Sequence, residues 1–129
     1  MKTHILLLDE NMETRSRINF LLKIAGHTVT EFPDREDAVN WITNARQSRQ
    51  NFDLLLINYL DTNSRISLLI DQIHSFSRQI PILQLNRPSM KNYATVQTEL
   101  FKGKYGFFIC NPEVMIQTIH AVVNNYAHQ

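Results

Sequence analysis

Two adjacent carboxylates, Asp9 and Glu10, close the apolar run that begins at His4, and Asn11 follows them. Neighbouring acids repel each other, and at the end of an apolar run their simplest role is that of first-turn acids for a following helix. Three asparagines end later apolar runs in the same way: Asn58, Asn86 and Asn111, the last before Pro112. Asn is favoured at such junctions as a cap and turn former. The single Cys110 makes no internal disulfide, and no neighbour in sequence would lower its pKa toward a reactive thiolate, so it reads as a small buried hydrophobe. The five histidines (His4, His27, His74, His120 and His128) show no i, i+4 pair and no cysteine companion. The spacing therefore gives no case for a metal site or for phosphotransfer through histidine. Arg46 and Arg49 read as a solvated helix end.

These residues need elements to hold them. Apolar blocks of strand length begin at His4 (HILLLD), Thr28 (TVTEF), Asp53 (DLLLI), Pro81 (PILQL) and Tyr105 (YGFFI), with starts 24, 25, 28 and 24 residues apart. Between them run helical i, i+3, i+4, i+7 stripes: Ile18, Leu21, Leu22, Ala25; Ala38, Trp41, Ile42, Ala45; Ile66, Leu69, Ile70, Ile73. Gly26 closes the first helix, Pro33-Asp34 with Asp37 opens the second, and Asn111-Pro112-Glu113 supplies an N-cap, an N1 proline and a first-turn acid for the last. A stripe over residues 88 to 101 is blurred by Thr95 and Thr98. The unalternating DLLLI predicts a strand buried on both faces, hence a parallel sheet covered by helices in a three-layer α/β domain of five βα units. In such sheets the site lies beyond the carboxyl ends of the strands, where Asp9, Glu10, Asn58, Tyr59, Asn86, Arg87 and Asn111 fall.

A length of 129 residues predicts one domain over 1–129, and 43% hydrophobic with 19% charged residues excludes disordered and low-complexity classes. A net charge of +1 argues against nucleic acid as a partner. The apolar runs are too short for a signal h-region or a membrane span, so a cytoplasmic location is expected, with no membrane partner. The last helix carries Val114, Met115, Ile116, Ile119, Ala121, Val122, Val123 and Tyr126, an apolar sector wider than one core stripe, which predicts a second buried face supplied by a partner.

The segments HILLLDEN, LLKIAGHTVTEF, FDLLLIN, IPILQLN and YGFFICNP, in this order and spacing, resemble the receiver domain of bacterial response regulators, of the chemotaxis-receiver type, over essentially the whole chain. The resemblance implies a doubly wound five-stranded parallel sheet, flavodoxin-like, in the order 2-1-3-4-5. It also implies phosphoryl transfer to an aspartate beside an acidic pair that holds Mg²⁺. Here the pair falls on Asp9 and Glu10, but the acceptor position falls on Asn58, the phosphoryl-contacting hydroxyl on Asn86 and the lysine on Asn111, while Phe108 takes the place of the switch aromatic. An amide has no charged oxygen with which to form an acyl phosphate. The substitutions are mutually consistent, because Asn at both the acceptor and lysine positions leaves neutral groups able to hydrogen-bond one another, and Asn58, Asn86 and Asn111 are expected to form an amide cluster. The repulsion between Asp9 and Glu10 is then expected to be met by Arg87 or water rather than by Mg²⁺, whose binding is weakened.

The expected function is a degenerate, stand-alone receiver without catalysis. It would act as a phosphorylation-independent interaction module in two-component signalling, meeting a histidine kinase, an output protein, another receiver or a second copy of itself. The resemblance places the contact on the fourth helix, fifth strand and fifth helix, with Tyr93, Leu100, Phe101, Tyr105, Ile119, Val122 and Tyr126 as its face. Alternatives are a receiver phosphorylated at Asp61 or Asp53, a haloacid-dehalogenase-like phosphatase using Asp9, and a small-ligand sensor in the vacated pocket. Asn11 breaks the phosphatase pattern, which needs a second acid two residues after the first.

Overall fold

Short runs of leucine and isoleucine have nowhere to go but between two layers of side chains. β1 (His4–Leu8), β3 (Leu54–Ile57) and β4 (Ile82–Leu85) bury nearly every residue, whereas β2 (Thr28–Phe32) buries only Phe32. The computed structural model describes residues 3–48, 52–58, 71–72, 80–85 and 106–127, apart from the side chains of 45–48, 107 and 125–127. With β5 (Phe107–Cys110) the strands form one parallel sheet in the order β2-β1-β3-β4-β5. The predicted fold class and strand order are the ones observed.

Local signals fix the helices. Asn11 caps α1 (Met12–Ile24) by accepting from the Thr14 amide at 3.0 Å. The chain leaves α1 through Gly26, at φ 95°, which lets the His27 amide donate back to the Leu22 carbonyl at 3.0 Å. Asp34 opens α2 (Arg35–Ser48), its Oδ1 accepting from the Asp37 amide at 2.9 Å. The C-terminal helix (Met115–Ala127) follows a 3₁₀ turn over Pro112–Val114. Asn111 precedes that turn in an extended conformation, but its side chain does not cap it, contrary to expectation. Pro112 opens the turn, where its missing N–H would have had no partner within the helix.

Alternation along the strands sends residues to two cores. Leu6, Leu8, Leu55, Ile57 and Ile82 pack with Phe32, Phe52 and the α2 residues Ala38 and Ile42. Trp41 closes this layer with edge-to-face contacts to His4, Phe32 and Phe52. On the other face Ile5, Leu7, Leu54, Leu56, Leu83 and Leu85 meet Ile18 and Leu22 of α1 and Met115, Ile119, Val122 and Val123 of the C-terminal helix. Two expectations fail here. Ile119 and Val122, assigned to a partner face, are core residues at 0% and 6% exposure, because Met115, Ile119, Val122 and Val123 make one i, i+4, i+7, i+8 stripe that the sheet and α1 cover. Leu21, assigned to the core stripe of α1, is exposed together with Met12, Phe20 and Ile24. Of the helix expected over Ile66 to Ile73 only residues 71–72 are described, and they are helical; the helix expected over 88–101, and the residues Tyr93, Leu100, Phe101 and Tyr105 with the Tyr126 side chain, lie outside the described residues. Among the described residues no helix is long and apolar enough to cross a membrane.

Candidate functional site

The sheet brings Asp9 and Asn58 together at the carboxyl ends of its two central strands. The Asp9 amide donates to the Phe32 carbonyl at 3.1 Å and the Asn58 amide to the Leu8 carbonyl at 2.9 Å, so the ladder runs unbroken up to both residues. Their side chains are buried, Asp9 at 1% and Asn58 at 5% exposure. A buried carboxylate needs donors. Oδ2 of Asp9 accepts from Nδ2 of Asn58 at 3.0 Å and from Oγ1 of Thr14 at 2.6 Å, while Oδ1 accepts from the Asn11 amide at 2.9 Å. Arg15 adds a cation nearby: Nη1 donates to the Asp9 carbonyl at 2.8 Å, and Nε pairs with Glu31 at 3.3 Å, a carboxylate that Asn19 also engages.

One expectation fails here. Glu10 is exposed, so the two acids do not share a buried site. Among the described residues the groups that offset Asp9 are Asn58, Thr14 and a backbone amide, with Arg15 on its carbonyl; Arg87, expected in that role, lies outside the described residues, as do Asn86, Tyr59 and Asp61. The Asn58 side-chain nitrogen donates to Asp9, a contact the sequence did not predict; the expected amide cluster includes Asn86, which lies outside the described residues. Thr14 and Arg15 escaped the sequence reading, although their place five and six residues after Asp9, in the first turns of α1, was the available signal.

Among the described residues the donor set does not suit Mg²⁺. That ion asks for oxygen ligands in near-octahedral array. Here the one buried carboxylate already takes three donors, its neighbour Asn58 offers it a nitrogen, and Glu10 faces solvent. A cavity of about 280 Å³ lies beside this cluster, lined by Thr14, Arg17, Ile18, Leu21, Asn58, Leu85, Pro112 and Met115. Phe108 is half-buried and packs on the core layer that α1 and the C-terminal helix cover. Cys110 is half-buried too; burial pushes its thiol pKa up, against a smaller downward pull from a hydrogen bond with Thr118. Asp53 belongs to the opposite end of the sheet, before β3, where its carboxylate accepts from the His4 amide at 2.8 Å.

Histidine pairing, which linear spacing did not reveal, occurs through the fold. His27 and His120 meet across 93 positions with their Nε2 atoms 3.1 Å apart.

No protein-family model matches the chain, and no curated protein matches it by sequence. Solved structures do match. The CheY-like response regulator receiver domain protein from Methanospirillum hungatei has a TM-score of 0.74 at 16% identity, over 99% of this chain and 98% of that one. An adenylate cyclase from Rhodopirellula baltica reaches 0.75 at 16% identity, over 98% and 90% of the two chains. Full-length FixJ from B. japonicum gives 0.70 at 20% identity, with 96% of this chain covered but only 59% of FixJ. The class that these likenesses define is one of architecture: the chain has the receiver fold.

Proposed function

We propose that this chain is a degenerate response regulator receiver, a non-catalytic and phosphorylation-independent module that works by binding a signalling protein in a bacterial two-component system. The observation that carries this reading is the 3.0 Å hydrogen bond from the Asn58 amide to the buried Asp9 carboxylate. At the position where a receiver's acceptor aspartate is expected, the chain offers a neutral donor, and an amide forms no acyl phosphate. The same bond satisfies Asp9 without a cation. Exposed Phe20, Leu21 and Ile24 on α1 give a protein partner an apolar surface, in place of the C-terminal helix stripe that the core consumes. The competing chemistries fare worse. Asp53 is remote from Asp9, so phosphorylation there would proceed without the acidic pair, and an Asp9 nucleophile would have to break three hydrogen bonds first.

The test is an intact-mass spectrum after incubation with Mg²⁺ and a small-molecule phosphoryl donor. The mass is expected to stay unchanged. Gain of one phosphoryl group that is lost under conditions hydrolysing acyl phosphates would overturn the reading and restore a phosphorelay role.

A further inference from the structure

His27 begins the return into β2 after α1, and His120 belongs to the C-terminal helix, so their meeting ties the turn after α1 to the last element of the chain. Their Nε2 atoms are 3.1 Å apart, and the rings are edge to face, with centroids 5.1 Å apart and an interplanar angle of 67°. Two imidazole nitrogens bound to one tetrahedral zinc at about 2.0–2.1 Å each would stand roughly 3.3 Å apart, within a few tenths of an ångström of this spacing. The orientation is also supported from behind. Nδ1 of His27 is 2.7 Å from Oγ1 of Thr3, itself a buried side chain. With the Nδ1 proton donated to that hydroxyl, Nε2 of His27 is a bare lone pair directed at His120, the arrangement in which an outer partner sets the tautomer of a metal-ligating histidine.

We propose that His27 and His120 form a two-imidazole site for a divalent transition metal of the zinc, nickel or copper type, with solvent completing the coordination. Without the ion, one Nε2 proton bridges the two rings as a hydrogen bond. On binding, His120 moves its proton to Nδ1, so both Nε2 lone pairs become available and no net proton need leave. Imidazole selects these borderline ions over Mg²⁺ or Ca²⁺. Among the described residues no third His, Cys, Asp or Glu converges on the pair. An ion there would pin the C-terminal helix to the α1 turn.

The test is thermal unfolding of the full chain in a non-chelating buffer at pH 7.5, with Ni²⁺ or Zn²⁺ at 100 μM, Mg²⁺ as the control ion, and His120→Ala beside the wild type. His120 is only half-buried, so this variant retains the core. The midpoint of the wild type is expected to rise with Ni²⁺ or Zn²⁺ and not with Mg²⁺, the folding equilibrium constant increasing about a hundredfold once the ion reaches a hundred times its Kd. His120→Ala abolishes the rise, and Thr3→Val weakens the affinity about tenfold by freeing the His27 ring. Cu²⁺ should broaden the amide resonances of His27 and His120 before all others. An equal rise in His120→Ala, broadening that begins elsewhere, or no rise in the wild type would each overturn the assignment.

Discussion

At the scale of single residues, the energetic centre of the site is Asp9. Two donors from the turn that opens α1 and one from the end of β3 converge on a carboxylate that is almost fully buried, and removing it takes an acceptor from the buried Asn58 amide. Asp9→Ala is expected to cost about 2–4 kcal/mol of folding stability, read by urea denaturation, because taking the acceptor away from a buried donor costs more than the lost bond itself. Gln84 poses the inverse case. It is wholly buried on β4, on the same face as Ile82 and between Ile57 and Ile109 in register, and among the described residues neither its Oε1 nor its Nε2 has a partner. Gln84→Leu is therefore expected to raise stability by about 1–2 kcal/mol in the same assay, since an apolar group of similar size removes an unmatched amide. Asp9 and Asn58 were both legible in the sequence, as polar residues ending apolar runs. Their mutual bond was less so, since it depends on β1 and β3 being neighbours, and Gln84 was hidden inside a run that is otherwise apolar.

At the scale of elements, the turn after α1 shows backbone conformation acting alone. Gly26 lies at φ 95°, yet nothing stands within 4 Å of where a Cβ would go. Gly26→Ala should thus lose about 1 kcal/mol through conformational strain without any clash, measurable as a lower denaturation midpoint with an unchanged m-value. This helix stop, the Asp34 cap and all five strands were readable from local signals, because Gly, Asp and short apolar runs act on their immediate neighbours. The C-terminal helix was misread for a related reason. Eight apolar positions look like more than one face can use, but residues 115, 119, 122 and 123 fill the groove between sheet and α1, Ile116 packs at its margin, and Val114 precedes the helix proper. Hydrophobic count does not report how wide a groove the rest of the chain provides. Leu21 errs in the opposite direction, apolar and periodic but outside the contact.

At the scale of the whole molecule, His27 links stability to pH. Burial lowers its pKa from the ordinary 6.5, His120 and the amino-terminal charge lower it further, and Asp53 opposes them. A depressed histidine pKa means that the unfolded chain takes up the proton first, so stability is full above pH 6.5 and declines as the pH falls below that value. Urea midpoints measured from pH 7.5 to 5.5 should fall, and His27→Gln should flatten the slope while keeping a polar partner for Thr3. Such a link was invisible in the linear sequence, where the two histidines are 93 positions apart and only the packing of the last helix against the first unites them.

The hydrogen bond between Asn58 and Asp9 has a consequence for information as well as for chemistry. A receiver that accepts a phosphoryl group has two covalent states and a lifetime between them, so it remembers a stimulus for as long as the bond lasts. On the function proposed above, a domain whose acceptor position is an amide bonded to the neighbouring acid stores nothing. Its message is then its own abundance, written by synthesis and degradation and read by whatever partner it occupies, which puts its timing on the scale of protein turnover rather than of phosphate hydrolysis.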